Sequence, residues 1–244
     1  GIINDFKSLN IKFDEGVGLG GRCIINIKTQ RKDIYQAYAR KLIEEGLAYP
    51  CFCSTDYLNE IREYQTHKKL RIGYYKKYAR CRDLSREDVL TKINNGEKYI
   101  IRLKSPGDFE NRITLHDAIK GDIEMPENDI DEVIIKGDGL PTYHFAHAID
   151  DHLMHTTHVT RGDEWVSSYP IHHQLFQVLN FKEPIYGHIA PITVKEGNVV
   201  RKLSKRKDKG AAISYYNELG IPYEAIRLYL ATIENYDFEE WYTN

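Results

Sequence analysis

The stretch from Thr142 to Leu179 constrains the fold most. Residues 142–154 carry apolar side chains at helical spacing, and Tyr143 and His147, four apart, share one face. His158-Val159-Thr160-Arg161 then reads as a strand, and Gly162-Asp163-Glu164-Trp165 as the loop after it. Ser167-Ser168-Tyr169-Pro170 opens a second helix with proline in its first turn, and Ile171, Leu175, Val178 and Leu179 form its core stripe. Helix, strand and helix in quick succession point to an α/β fold with a parallel sheet. In such sheets ligands gather outside the carboxyl ends of strands, which puts Arg161 where a ligand belongs.

The rest of the chain supplies elements around that segment. Ile3, Phe6 and Leu9 predict an opening helix with no capping residue ahead of it. Gly16-Val17-Gly18-Leu19-Gly20-Gly21 has the wrong spacing for a dinucleotide-binding loop and reads as a turn. Residues 31–45 form an amphipathic helix stopped by Gly46, and residues 47–53 a short strand. Ser54 or Thr55 caps the next helix, and Ser85-x-x-Asp88 resembles a capping box for another. Strands are expected at 99–103, within 113–123 in the same small sheet, and at 133–136, so residues 54–136 form an α/β insertion. With 244 residues there is enough chain for a sizeable core. No apolar run reaches the ~18 residues of a membrane span. The net charge of -2 requires any nucleic-acid contact to use a local patch.

Four groups of residues carry candidate chemistry. Arg201-Lys202-Leu203-Ser204-Lys205-Arg206-Lys207 holds five cations in seven residues between Gly197 and Gly210, and reads as a mobile loop suited to phosphates. Residues 68–82 hold seven basic residues and no acid, interleaved with Tyr74, Tyr75 and Tyr78; they suit nucleic acid, or else a solvated loop with its tyrosines packed inward. Cys23, Cys51, Cys53 and Cys81 are too few for a disulfide scaffold and read as reduced thiols in a cytoplasmic protein. Cys-x-Cys is a poor zinc spacing and no histidine lies near Cys81, so no metal is assigned. Eight of the ten histidines lie between His144 and His188, which with Asp150 and Asp151 keeps a metal-dependent hydrolase as a rival; no H-E-x-x-H is present.

Taken in order, Asp138-Gly139-Leu140-Pro141-Thr142-Tyr143-His144, Asp150-Asp151-His152-Leu153-Met154, Arg161-Gly162-Asp163-Glu164-Trp165 and Lys202-Leu203-Ser204-Lys205-Arg206 resemble glutamyl-tRNA synthetases, of class I. Ile34-Tyr35 and Ala48-Tyr49-Pro50-Cys51-Phe52-Cys53 fit the same family. The resemblance covers nearly the whole chain. It implies ligation of glutamate to tRNA through a glutamyl-adenylate, with ATP and Mg2+ as substrate, on a partial Rossmann-type parallel sheet. The implied divisions are 1–53, remnant of the first Rossmann half; 54–136, an insertion gripping the tRNA acceptor stem; 137–195, the second half; and 196–244, the signature loop and the start of a helical stem-contact region.

By the same resemblance Tyr143, His147 and Arg161 bind the amino acid, although His147 stands where some members carry asparagine. Arg161 pairs with the glutamate side-chain carboxylate, where a planar guanidinium binds bidentately. Glu164, Trp165 and Lys205 meet ATP, and Lys202, Lys205 and Arg206 act on its phosphates. Lys76, Lys77 and Arg80 face tRNA. Some members hold a zinc with cysteines in this region, in which case Tyr78 is the candidate fourth ligand. The resemblance implies a monomeric, cytoplasmic parent with no membrane contact. It also places the His-Ile-Gly-His signature before Gly1 and the anticodon-binding domain beyond Asn244, so the chain alone is expected not to activate glutamate. A non-catalytic tRNA-binding module of the same fold is the alternative.

Overall fold

The computed structural model describes residues 2–16, 19–20, 28–235 and 238. Its helices are α1 (Ile2–Ser8), α2 (Lys32–Glu44), α3 (Thr55–His67), α4 (Arg86–Asn94), α5 (Tyr143–Leu153), α6 (Tyr169–Val178), α7 (Ile213–Glu218) and α8 (Tyr223–Glu234). Its strands are β1 (Ala48–Cys51), β2 (Ile100–Leu103), β3 (Arg112–Asp117), β4 (Gly121–Pro126), β5 (Val133–Ile135), β6 (His158–Gly162), β7 (Ile185–Ile189), β8 (Thr193–Glu196) and β9 (Val199–Lys202). The fold is mixed α/β. It divides into two compact units, one of residues 1–22, 160–166 and 188–244, the other of residues 23–159 and 167–187. Cys23 and, in the glycine-rich turn, Val17, Gly18 and Gly21 lie outside the described residues.

Apart from the β8–β9 hairpin, the strands form two sheets. In the first, β2 sits between β1 and β5 and pairs antiparallel with both. In the second, the strand order is β4-β3-β7-β6, and β3 meets β7 in parallel at Asp117 and Tyr186. The expected strand at 113–123 is therefore a β3–β4 hairpin, and it joins this second sheet, not that of residues 99–103. The reason is its pattern: Leu115 and Asp117 are buried while their neighbours are exposed, so the hairpin has one apolar face to cover. Ser54 and Ser85 cap α3 and α4 as expected, accepting from Tyr57 N at 3.2 Å and Asp88 N at 3.0 Å.

One core runs through the larger unit. Tyr35, Ala39 and Leu42 of α2, Phe145, Ala148 and Ile149 of α5, and Leu175 and Phe176 of α6 are all buried. Each such large side chain contributes roughly 1.5–3 kcal/mol by leaving water. Asp150 ties α5 to α2: it accepts from the Tyr35 hydroxyl at 2.8 Å and pairs with Arg31 at 3.1 Å. Burial, and then the Asp150 hydrogen bond, push the Tyr35 phenol up, so it stays a donor. At the turn before α5, Gly139 adopts φ +77°, and its carbonyl accepts from Gln36 Nε2 at 3.1 Å.

The smaller unit holds the β8–β9 hairpin, α1, α7 and α8. Leu9 and Ile226 are buried there. A cavity of about 930 Å³, lined by apolar side chains including Phe6, Ile192, Leu203 and Ile233, lies within this unit. Of the apolar residues spaced along α8, Ile226 is buried while Tyr229 is 66% exposed, so the stripe is only partly covered.

Candidate active site

In the larger unit the side chains of α5 and α6 make an aromatic and imidazole cluster. Tyr143 is exposed, and its ring stacks on that of His147 with centroids 5.8 Å apart and planes 9° from parallel. His147 Nε2 lies 2.8 Å from the Tyr186 hydroxyl, and Nδ1 lies 3.0 Å from Asp151 Oδ2. His144 Nδ1 meets Nε2 of the buried His172 at 2.8 Å. His144, His147 and His172 thus meet one another, Tyr143 and Tyr186, while His173 meets Glu183 at 2.7 Å and His152 stacks on Phe181. Among the described residues, the group of three or more side chains with metal-ligand spacing is made of cysteines, not of these histidines.

That group is Cys51, Cys53 and Cys81, whose sulfurs lie within 4.8 Å of one another. Cys53 and Cys81 are 3.6 Å apart, close to the ~3.8 Å edge of a tetrahedron with Zn–S bonds of 2.3 Å. The nearby phenol is Tyr74, with its hydroxyl 3.2 Å from Cys53 Sγ and 3.5 Å from Cys51 Sγ. Tyr78, the expected fourth ligand, instead packs its ring against Tyr75 and accepts a hydrogen bond on its backbone carbonyl from the Tyr57 hydroxyl. Hydrogen bonding with the Cys53 thiol, then with Cys81, lowers the Cys51 thiol and favours a thiolate. All three described cysteines are free of disulfides.

The basic stretch is split by burial. Arg71 pairs with Asp129 at 2.5 Å and Arg82 pairs with the fully buried Asp131, so these two arginines hold the fold. Tyr74 is buried and does not face solvent. Lys76, Lys77 and Arg80 remain exposed, with Lys76 near Asp108 at 3.2 Å and Arg80 over the Tyr57 ring at 3.6 Å.

In the smaller unit, Arg161 lies near the end of β6 and donates from Nε to Nε2 of the buried His188 at 2.9 Å. A short 3-10 helix, Asp163–Ser168, carries Glu164 and Trp165. Arg201 and Lys202 are not loop residues: they close β9. The turn that follows is organised by Asp208, which binds Arg201 through two hydrogen bonds at 2.7 and 2.8 Å and accepts from Ser204 N at 2.9 Å. Arg201 first, then the Ser204 amide, hold the Asp208 carboxyl down at about 2. Lys202 Nζ reaches Glu164 at 2.8 Å and draws its carboxyl below the usual range, while Lys205 Nζ reaches Asp5 at 3.2 Å. Both pairs are exposed, and water screens such pairs so that they hold little. Either lysine can therefore be given up to a phosphate at little cost. Arg206 is exposed.

Of the expected site residues, the fold thus brings Tyr143 and His147 together in one unit and Glu164 and Lys202 together in the other. Sequence reasoning gave no part to Asp208 and none to His188 beyond the histidine count; it read Tyr74 as a nucleic-acid contact or an inward-packed ring, and Asp151 as part of a rival metal site. Asp151 alone carried a local signal, standing four residues after His147 on the same helix.

The fold and the order of these motifs are those of a class I tRNA synthetase catalytic domain. A family model described as "tRNA synthetases class I (E and Q), catalytic domain" matches residues 1–234. The chain belongs to this family. It is 56% identical over 214 residues to the glutamate--tRNA ligase of Clostridium beijerinckii, covering 88% of this chain and 39% of that protein. It is 50% identical over 243 residues to that of Clostridium perfringens strain 13, covering 98% and 44%. A crystal structure of a glutamate tRNA ligase from Elizabethkingia meningosepticum, in complex with its amino acid, is similar at a TM-score of 0.77 and 33% identity, covering 86% of this chain and 42% of that one. The chain thus spans about two fifths of the length of these relatives.

Proposed function

We propose that the chain is the catalytic part of an enzyme that joins glutamate to tRNA. The α-carboxylate of glutamate attacks the α-phosphorus of ATP, and pyrophosphate leaves. A hydroxyl at the 3′ end of tRNA then attacks the glutamyl carbonyl, and AMP leaves. The observation that carries this reading is family membership combined with relatives that are glutamate--tRNA ligases at 50–56% identity.

Each residue takes a role its environment supports. Arg161, oriented through Nε by His188, offers its guanidinium to the side-chain carboxylate of glutamate. Tyr143 offers an exposed ring to the same ligand. Glu164 and Trp165 serve ATP. Lys202, Lys205 and Arg206 stabilise charge as pyrophosphate departs, and their effect is largest where that charge is largest, in the transition state. Mg2+ accompanies ATP as part of the substrate. Lys76, Lys77 and Arg80 serve the tRNA acceptor stem. Cys51, Cys53 and Cys81, with Tyr74 beside them, are the residues to hold a zinc ion, which here would brace β1 against the segment ending at Cys81. A cytoplasmic, monomeric parent belongs to the same proposal.

The test is ATP–pyrophosphate exchange on the intact protein with glutamate varied. Losing a charged hydrogen-bond partner costs about 1.5–3 kcal/mol. Arg161→Ala should therefore raise the glutamate KM at least about tenfold. An unchanged KM removes Arg161 from the pocket.

A further inference from the structure

We infer that Asp129 and Asp131 are positioning residues for tRNA binding: together they clamp the loop from Arg71 to Arg82, so that Lys76, Lys77 and Arg80 meet the phosphates of the acceptor stem as a preformed set. This rests on the reading that those three cations serve tRNA, and it gives the buried acids behind them a part in that task.

One short segment holds the loop at three points. At its start, Nη2 of Arg71 donates to both carboxylate oxygens of Asp129. Further on, the backbone N–H of Asp131 donates to the carbonyl of Tyr74 at 2.9 Å. At its end, Asp131 Oδ1 accepts from Nη1 of Arg82 and from the Ser105 amide, the latter at 2.9 Å, while Oδ2 accepts from the Tyr49 hydroxyl at 2.6 Å. Between the two acids, Ile130 backs Gly73 so closely that a Cβ added there would lie 3.0 Å from Ile130 Cδ1. The side chains of Asp129 and Asp131 are 3% and 0% exposed. Breaking such a pair from one side leaves a buried charge uncompensated, so each arginine is kept where its acid is.

Other contacts close the loop on itself. Gln65 of α3 exchanges two hydrogen bonds with Gly73, each 2.9 Å. The Tyr74 hydroxyl accepts from the Cys81 amide at 3.2 Å, across the loop. The Arg71 guanidinium lies over the rings of Tyr75 and Phe109, 4.4 and 4.0 Å from their centroids, which makes it an anchor. Lys76 has φ +45°, a left-handed backbone that a lysine keeps only where its surroundings hold it. It opens a short 3-10 helix, Lys76–Tyr78, that also carries Lys77. The three cations are exposed while the backbone beneath them is fixed, so little ordering remains to be done when RNA arrives.

Asp129→Ala separates this role from plain electrostatics by its sign. Removing an acid beside a basic surface strengthens RNA binding if the cations act as independent charges. If Asp129 positions them, binding weakens instead. In the intact enzyme the KM for tRNA should rise about tenfold, with kcat and the KM for glutamate within about twofold. Asp131→Asn, of the same size, should act in the same direction from the other end of the loop. Arg71→Ala should match Asp129→Ala, and the double variant should do no more than either, because one clamp is lost in each case. Trypsin reads the loop itself: Asp129→Ala should be cut after Lys76, Lys77 or Arg80 about tenfold faster than the unaltered protein. Unchanged or stronger tRNA binding in Asp129→Ala overturns the inference, as does an unchanged rate of cutting. A rise in both KM values together marks general destabilisation and overturns it too. If replacing Lys76, Lys77 and Arg80 together leaves tRNA binding unaltered, the tRNA reading itself fails. If that variant binds weakly and Asp129→Ala does not, only the positioning role falls.

Discussion

The α5–α6 cluster and the β8–β9 hairpin are both rich in the residue types of catalysis, but they are held in opposite ways. Around α5 the polar groups rest on a core in which Phe145, Ala148, Ile149 and Leu175 are fully buried. On the hairpin, Lys202 and Lys205 make only exposed ion pairs, and the turn is organised by Asp208. The first arrangement fixes geometry through packing density. The second leaves charges available, which suits groups that must meet a phosphate at one step and release it at another.

The largest effect expected from this contrast is on stability. Phe145→Ala should cost about 3–5 kcal/mol, read from denaturant midpoints, because it opens a cavity where α5 meets the core. No single substitution on the hairpin should approach that. Next is a rate. Lys205→Ala in the intact enzyme should slow adenylate formation about 10²–10³-fold in pre-steady-state measurements while the melting temperature hardly moves. A normal activation step would place the lysine outside the transition state and blur the contrast.

Smaller effects sharpen it further. Replacing Lys76, Lys77 and Arg80 together by alanine should flatten the slope of log K against log salt for tRNA binding by about 2–3, as each phosphate contact adds about 0.7–0.9. An identical slope would assign these exposed cations to solvent. The smallest is local. Asp208 titrates at about 2 in the folded chain, below the ~3.9 of a free aspartate. A depressed carboxyl stabilises the turn fully above pH ~3.9 and loses that contribution as pH falls through about 2. The Ser204 amide resonance should report this transition, and Asp208→Asn should abolish it.

What was legible from the sequence follows the same division. Helices announced by periodicity and caps, such as α2, α3, α5 and α6, begin within a residue or two of their expected starts because their signals are local. The β3–β4 hairpin was assigned to the wrong sheet, since alternation tells a strand which face to bury but not which partner to choose. Tyr143, Arg161 and the Lys202–Arg206 run stood out by residue type and order. Asp208 did not: its tie to Arg201 spans seven residues across a turn, a spacing with no regular period. Of the two readings of the tyrosines in the basic stretch, Tyr74 follows the inward-packed one, but its placement on the cysteines depends on long-range packing that no local spacing announces.

Asp150 and Asp151 are chemically identical neighbours whose side chains leave α5 about 100° apart. One reaches Tyr35 on α2 and Arg31 just before it; the other lies beside His147. Adjacent codons therefore carry separate constraints. In a saturation mutagenesis experiment scored for abundance and for growth, position 150 should sort with the residues that limit how much protein accumulates. Position 151 should sort with those that limit what each molecule accomplishes, so a dipeptide that reads as one motif would behave as two independent columns.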